Sequence, residues 1–210
     1  MRASNILTII FLYLVLSACV NVEIPQTDDP VEKLEWAEDL YDFYQKPVEA
    51  EKLIQEAIVI CKQTGDDSCL GDAYVNYGFF FRSPSVREWE DYYRENGFLD
   101  KSASYDSRLI KSKEYFEKAV FSYQQTSDYS ALSRAYLNLG FSYYFINETE
   151  HGGNAGVQLS DNTAECEAYA SSLEYNLKTL EEKPDARISL PDGVSSFREY
   201  IAIHQKRAGC

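Results

Sequence analysis

Seven side chains dominate any search for chemistry in this sequence: Cys19, Cys61, Cys69, Cys166, Cys210, His151 and His204. A thiolate is a nucleophile and a metal ligand, and an imidazole is a base and a metal ligand, when partners stand at the right spacing. Here they do not. The sequence has no Cys-x-x-Cys, no His-Glu-x-x-His, no Gly-x-Ser-x-Gly and no phosphate loop. The run Gly152-Gly153-Asn154-Ala155-Gly156 lacks the lysine a phosphate loop needs. Neither His has a Cys, Asp or Glu at ligand spacing, and the Glu181-Glu182 pair falls on a helix surface, where solvation is expected. These residues imply no catalytic group, no metal site and no cofactor. They leave the cysteines for covalent attachment or cross-linking.

The chain that positions them has 210 residues, 45% hydrophobic and 26% charged, so it can bury a core as one domain or two small ones. Only 10 Gly and 6 Pro argue against all-β and low-complexity readings. Twenty basic residues against 34 acidic ones give a net charge of −14, which repels phosphate backbones and excludes nucleic acid as a partner.

Met1–Cys19 reads MRASNILTIIFLYLVLSAC. A short positive start precedes an apolar run, Ile6–Leu16, too short for a membrane span of roughly 20 residues but suited to a signal-peptide core. It ends in Leu16-Ser17-Ala18-Cys19, which resembles the lipobox of bacterial lipoproteins. That resemblance implies a signal peptide over 1–18, lipidation of Cys19 through a thioether with further acylation (palmitate) of its new amine, and a lipidated tether over 19–28. Two or more acyl chains anchor stably to a membrane. Val20, in place of Asp, implies sorting to the outer membrane, facing the periplasm. The alternative is an ordinary secretory signal with a coincidental Cys.

The mature chain contains an internal repeat. Residues 49–81 and 111–143 align without a gap and share 11 of 33 positions, including the block Ala-Tyr-x-Asn-x-Gly-Phe. Leu53, Ala57, Ile58 and Cys61 lie on one helical face, as do Tyr115, Ala119, Val120 and Tyr123. Thr64-Gly65-Asp66 and Thr126-Ser127-Asp128 interrupt the pattern with turn and capping residues, and a second helix follows each. Each copy therefore reads as helix, tight turn, helix. Asp29-Pro30-x-Glu32 starts an earlier helix with Trp36, Leu40, Tyr41 and Tyr44 as its stripe, and Pro47 opens the next. Val194–Arg207 reads as a final capping helix after the Pro191-Asp192-Gly193 turn.

Tyr136-x2-Leu139-Gly140-x2-Tyr143, and more loosely Tyr74-x2-Tyr77-Gly78-x2-Phe81, resembles the first helix of a tetratricopeptide repeat. The resemblance extends over residues 30–183 and implies an all-α fold: a short right-handed helical-hairpin solenoid over 29–210. Its period of 62 exceeds the usual 34, with the excess in inserts at 82–106 and 147–162. Ser172, Asn176 and Thr179 stand where the family has Ala, an aromatic and Ala. An α-helical bundle with an internal duplication is the alternative.

In this family the first helices line a concave groove that holds an extended peptide. The resemblance places Asn76 and Asn138 in it, beside Phe79, Phe141, Arg134 and Tyr144; an Asn offers both donor and acceptor to a peptide backbone. The other reading has each Asn bonding a neighbouring helix and the Phe residues in the core. In the first insert, Val86–Glu95 reads as a short helix whose Trp89, Tyr92 and Tyr93, with Phe98, form either an interface patch or a cover on the stack. The insert at 147–162 is polar and Gly-rich and reads as a loop, and its Asn147-Glu148-Thr149 sequon is set aside in a bacterium. With Cys19 lipidated, an oxidising compartment favours Cys61–Cys69 across a tight turn and Cys166–Cys210 pinning the terminal helix, against buried free thiols. The function expected is a non-catalytic, membrane-tethered scaffold for a protein or peptide partner. A small-ligand-binding accessory lipoprotein of a transport system is the alternative, and an envelope enzyme ranks below both.

Overall fold

The computed structural model describes residues 24, 26–147 and 162–210. The signal segment, Cys19 and most of the second insert, with His151, lie outside the described residues. Those described form helices and connecting turns with no strand: α1 Pro30–Asp42, α2 Pro47–Thr64, α3 Asp67–Arg82, α4 Pro84–Glu88, α5 Glu90–Asn96, α6 Arg108–Gln124, α7 Tyr129–Asn147, α8 Thr163–Glu182 and α9 Phe197–Ala208. No described helix is long and apolar enough to cross a membrane.

Local chemistry sets the boundaries. The Asp29 carboxylate accepts from the Val31 N–H, and Pro30 fills the first turn of α1. Gly65 ends α2 in the left-handed region at φ +67°. Asp66 and Asp128 then cap α3 and α7 by accepting from the Cys69 and Ala131 N–H groups. Ser196 does the same for α9, accepting from Glu199.

The helices pair as α1 with α2, α3 with α6 and α7 with α8; α2 lies on α3, α6 on α7, and α9 closes the far end against α8. Each sequence copy therefore straddles two hairpins. The tight Thr-x-Asp turns join neighbouring hairpins, while the first insert lies inside the α3–α6 hairpin.

Three glycines let those hairpins close. A Cβ on Gly71 would lie 2.5 Å from the Tyr123 ring, one on Gly78 2.8 Å from the Phe116 ring, and one on Gly140 2.5 Å from the Tyr169 ring. The intimate approach brings backbone within reach of small hydroxyls. Ser112 Oγ donates to the Gly78 carbonyl at 2.7 Å, and Ser133 and Ser172 donate to each other's carbonyls at 2.8 and 2.9 Å. Ser172, Asn176 and Thr179, which break the family pattern, are all buried.

The first insert folds into the core rather than away from it. Helix breaks at Trp89, leaving α4 and α5 where the sequence suggests one helix. Tyr93 and Phe98 stack at 4.2 Å between centroids, each 1% exposed, and meet Phe80 edge-on. Burying such a pair contributes a few kcal/mol by apolar transfer alone, roughly 1.5–3 per ring. Only Tyr92 and Leu99 of this region remain substantially exposed among its large hydrophobics. Arg94 clamps the insert with two bonds to the Asp106 carboxylate. Both cysteine pairs sit at disulfide-bonding distance, with Cα separations of 5.5 Å for Cys61–Cys69 and 5.7 Å for Cys166–Cys210.

Candidate functional site

The first helices of the three hairpins, α1, α3 and α7, are linked by polar side chains. Asn76 of α3 is buried and its Nδ2 donates to the Leu34 carbonyl of α1 at 3.1 Å. Arg82, at the end of α3, donates from Nη2 to Asn138 Oδ1 of α7 at 2.9 Å. Asn138 Nδ2 in turn donates to the Arg134 carbonyl one turn earlier.

The six residues expected to line a groove divide on this framework. Asn76 is turned onto α1 and is closed to a ligand. Phe141 is half-buried and packs edge-on against His204 of α9 at 4.8 Å and against Tyr169 of α8. For Asn76 the inward-packed reading is the one the geometry shows, because α1 occupies the space a peptide would need. Phe79 is half-buried, edge-on to Phe116 at 5.3 Å. Arg134 is exposed and donates to Ser130 on its own helix. Asn138 is half-buried, and the Tyr144 ring lies under the Arg207 guanidinium at 3.5 Å. Phe79, Arg134 and Asn138 are thus the expected residues that keep an accessible edge free of the cap.

Arg82 is the residue the sequence did not single out. Its guanidinium lies over the Phe79 and Phe116 rings at 4.6 and 5.0 Å and 5.5 Å from that of Phe145. Burial lowers its pKa to about 10. Among the described residues no carboxylate pairs with it within 4 Å, and its Nη1 is shut from solvent with no hydrogen-bond partner. One residue past the aligned copies Arg82 corresponds to Tyr144: a cation on rings after the first copy, a ring under a cation after the second.

Beside Arg82 a pocket of about 250 Å³ opens between the ends of α1 and α3, lined by Glu38, Tyr41, Asp42, Phe79, Arg82 and Pro84. Glu38 and Asp42 stand at its exposed rim. Their pKa values are raised, first by partial desolvation and then by repulsion from neighbouring acids, Asp42 and Asp39 for Glu38 and Asp39 for Asp42. Among the described residues no group of three or more His, Cys, Asp or Glu side chains comes together as a metal site. Comparison with known proteins finds no match among family models, curated proteins or solved structures.

Proposed function

We propose that this chain is a lipid-tethered, non-catalytic scaffold of the bacterial outer membrane, facing the periplasm and holding a protein or peptide partner on a tetratricopeptide-like, right-handed solenoid. The observation that carries this reading is the bridging of α1, α3 and α7 through Asn76–Leu34 and Arg82–Asn138, which links the first helices of successive hairpins. The matched Gly78–Phe116 and Gly140–Tyr169 approaches support a repeated hairpin unit. The Leu16-Ser17-Ala18-Cys19 resemblance supports the tether, with Cys19 carrying the lipid. The surface available to the partner runs over Phe79, Arg134 and Asn138, and not over Asn76.

The test is photo-crosslinking in cells from positions 79 and 134, with position 76, which is buried, as a covered control, followed by mass spectrometry. One protein recovered from 79 and 134 but not from 76 supports the scaffold. No protein adduct from either open position, with the chain present in the membrane fraction, removes it. Loss of membrane fractionation in Cys19→Ala tests the tether separately.

A further inference from the structure

The contacts Gly78–Phe116 and Gly140–Tyr169 bring the α3–α6 and α7–α8 hairpins into correspondence, residue by residue. Four residues before the glycines stand Tyr74 and Tyr136, and eleven before them Asp67 and Tyr129; six residues after the rings stand Ser122 and Tyr175. In the α7–α8 hairpin all three places hold rings. Tyr175 stacks on Tyr136 at 5.6 Å between centroids with the planes 5° apart, and meets Tyr129 at 6.0 Å. The Lys178 ammonium lies over the Tyr175 ring at 4.6 Å and over that of Tyr129 at 5.9 Å. In the α3–α6 hairpin the same places hold a carboxylate, a ring and a small hydroxyl. A pocket of about 540 Å³ opens there, lined by Asp67, Tyr74 and Ser122 together with Leu70, Lys118 and Phe121. Tyr74 is half-buried, and its one ring contact among the described residues is Tyr115 at 5.8 Å, tilted rather than stacked. Phe121 is 67% exposed where the other hairpin has Glu174. The wall also carries a net negative charge, with Asp67, Glu114 and Glu117 against Lys118. Glu114 and Glu117 are paired with Lys111 and Lys113, whereas Asp67 is exposed and has no ion pair within 4 Å among the described residues.

We infer that this pocket docks a helix of a protein partner through an aromatic side chain stacked on Tyr74, with a Lys or Arg one turn further on directed to Asp67. The α7–α8 hairpin shows the occupant: Tyr175 and, three residues on, Lys178 fill there what is open here. Ser122 leaves room for the incoming ring, and Asp67, in place of the Tyr129 ring, offers the incoming cation an opposite charge. Residues three apart share a helix face, so one partner helix presents both groups together. The pocket is larger than a single ring, and the remaining apolar wall, Leu70 and Phe121, takes the side chains that flank it on the partner's helix. An aromatic anchor seated in a pocket between helices is how a groove holds an amphipathic helix. The inference rests on the scaffold reading for the partner's being a protein, but it shares no residue with the Phe79–Arg134–Asn138 surface.

Fluorescence anisotropy on the full-length protein in detergent micelles tests this with an end-labelled, stapled alanine-rich helical peptide carrying Tyr-Ala-Ala-Lys. The peptide is expected to bind with a Kd of about 1 mM or tighter, and its Ala-Ala-Ala-Lys and Tyr-Ala-Ala-Glu counterparts about tenfold more weakly. Asp67→Asn is expected to weaken Tyr-Ala-Ala-Lys about tenfold. Ser122→Tyr supplies the ring from within, and is expected to abolish peptide binding and raise the urea midpoint. Asp67→Asn changes an exposed side chain only, so it reads the site even if Ser122→Tyr misfolds. Silence of Tyr-Ala-Ala-Lys up to about 1 mM, unchanged affinity in Asp67→Asn, or a folded Ser122→Tyr that still binds overturns the assignment. So does N-acetyltyrosinamide competing as tightly as the peptide, which would make the pocket a small-ligand site. Peptide silence alongside intact crosslinks from positions 79 and 134 removes this site and leaves the scaffold standing.

Discussion

Arg82 and Asn138 lie 56 residues apart in the chain and 2.9 Å apart in space, the guanidinium Nη2 donating to the amide oxygen. The contact joins the second hairpin to the third at a point where α3 has a cation and α7 a neutral acceptor. Asn138→Ala removes the only side-chain acceptor that Arg82 has among the described residues. A hydrogen bond to a charged group stabilises by about 1.5–3 kcal/mol, and urea denaturation should show a loss in that range. Asn138→Asp supplies a formal counter-charge and should retain or raise the midpoint. A fall equal to that of the Ala variant would show that the buried guanidinium does not need the acceptor.

Gly140 and Gly65 separate close approach from backbone conformation. Gly140→Ala places a methyl 2.5 Å from the Tyr169 ring, and overpacking of this kind costs about 1–3 kcal/mol. Gly65→Ala meets nothing within 4 Å but must hold φ +67°, a strain of about 1–2 kcal/mol for an L-residue. Thermal melts should show both variants destabilised, and only Gly140→Ala should lose near-ultraviolet signal from Tyr169 and its neighbours.

The two disulfide pairs should contribute unequally. Their sequence separations are 8 for Cys61–Cys69 and 44 for Cys166–Cys210. In the chain-entropy model those loops correspond to about 2.5 and about 4 kcal/mol at 25 °C. Replacing each pair by Ala and comparing unfolding free energies should therefore show the larger loss for Cys166/Cys210. The reverse order would show that local helix-end geometry outweighs loop closure.

Glu51 links stability to pH. Its buried carboxylate accepts from Tyr77 Oη at 2.7 Å and from the Leu99 N–H at 2.8 Å. Burial raises its pKa to about 7 from an ordinary 4.5, more than those bonds lower it. The folded chain therefore binds this proton more tightly than the unfolded one. The resulting stability is fully present below about pH 4.5 and is lost as pH rises through 7. Relative to wild type, Glu51→Gln should flatten that decline, by an amount on the order of 2–3 kcal/mol between pH 4.5 and 8. Parallel pH profiles for the two proteins would exclude Glu51 as the titrating group.

Much of the helical framework was legible because its signals are local. Asp29-Pro30, Pro47, Gly65 and Asp66 act on backbone groups within four residues, and each does in space what its type suggests. The repeat marked Gly78 and Gly140, and both meet large rings. Cysteine pairing was legible for 61 and 69 because the turn between them is short. The site was harder. Asn76 and Asn138 occupy matched positions, yet one is turned onto Leu34 of the preceding hairpin and the other receives Arg82. Which neighbour lies opposite is a non-local fact that periodicity does not encode. Phe141 likewise depends on where α9 lands. The expected helix of the first insert breaks at Trp89, and beyond the break Tyr93 and Phe98 stack on each other and meet Phe80 edge-on, a non-local arrangement.

The insert inside the α3–α6 hairpin also governs how the chain reaches this state. Twenty-five residues, 83–107, separate the partners whose glycine and ring must meet. Closing that span carries an entropic penalty that grows as the logarithm of its length, and contacts of high sequence separation slow the search. Tyr93 and Phe98 stack on each other and meet Phe80 of α3 edge-on, so in the folded chain the insert is anchored on α3 and leaves a shorter free span to reach α6. The aromatic cluster thereby serves as an internal brace for the second hairpin.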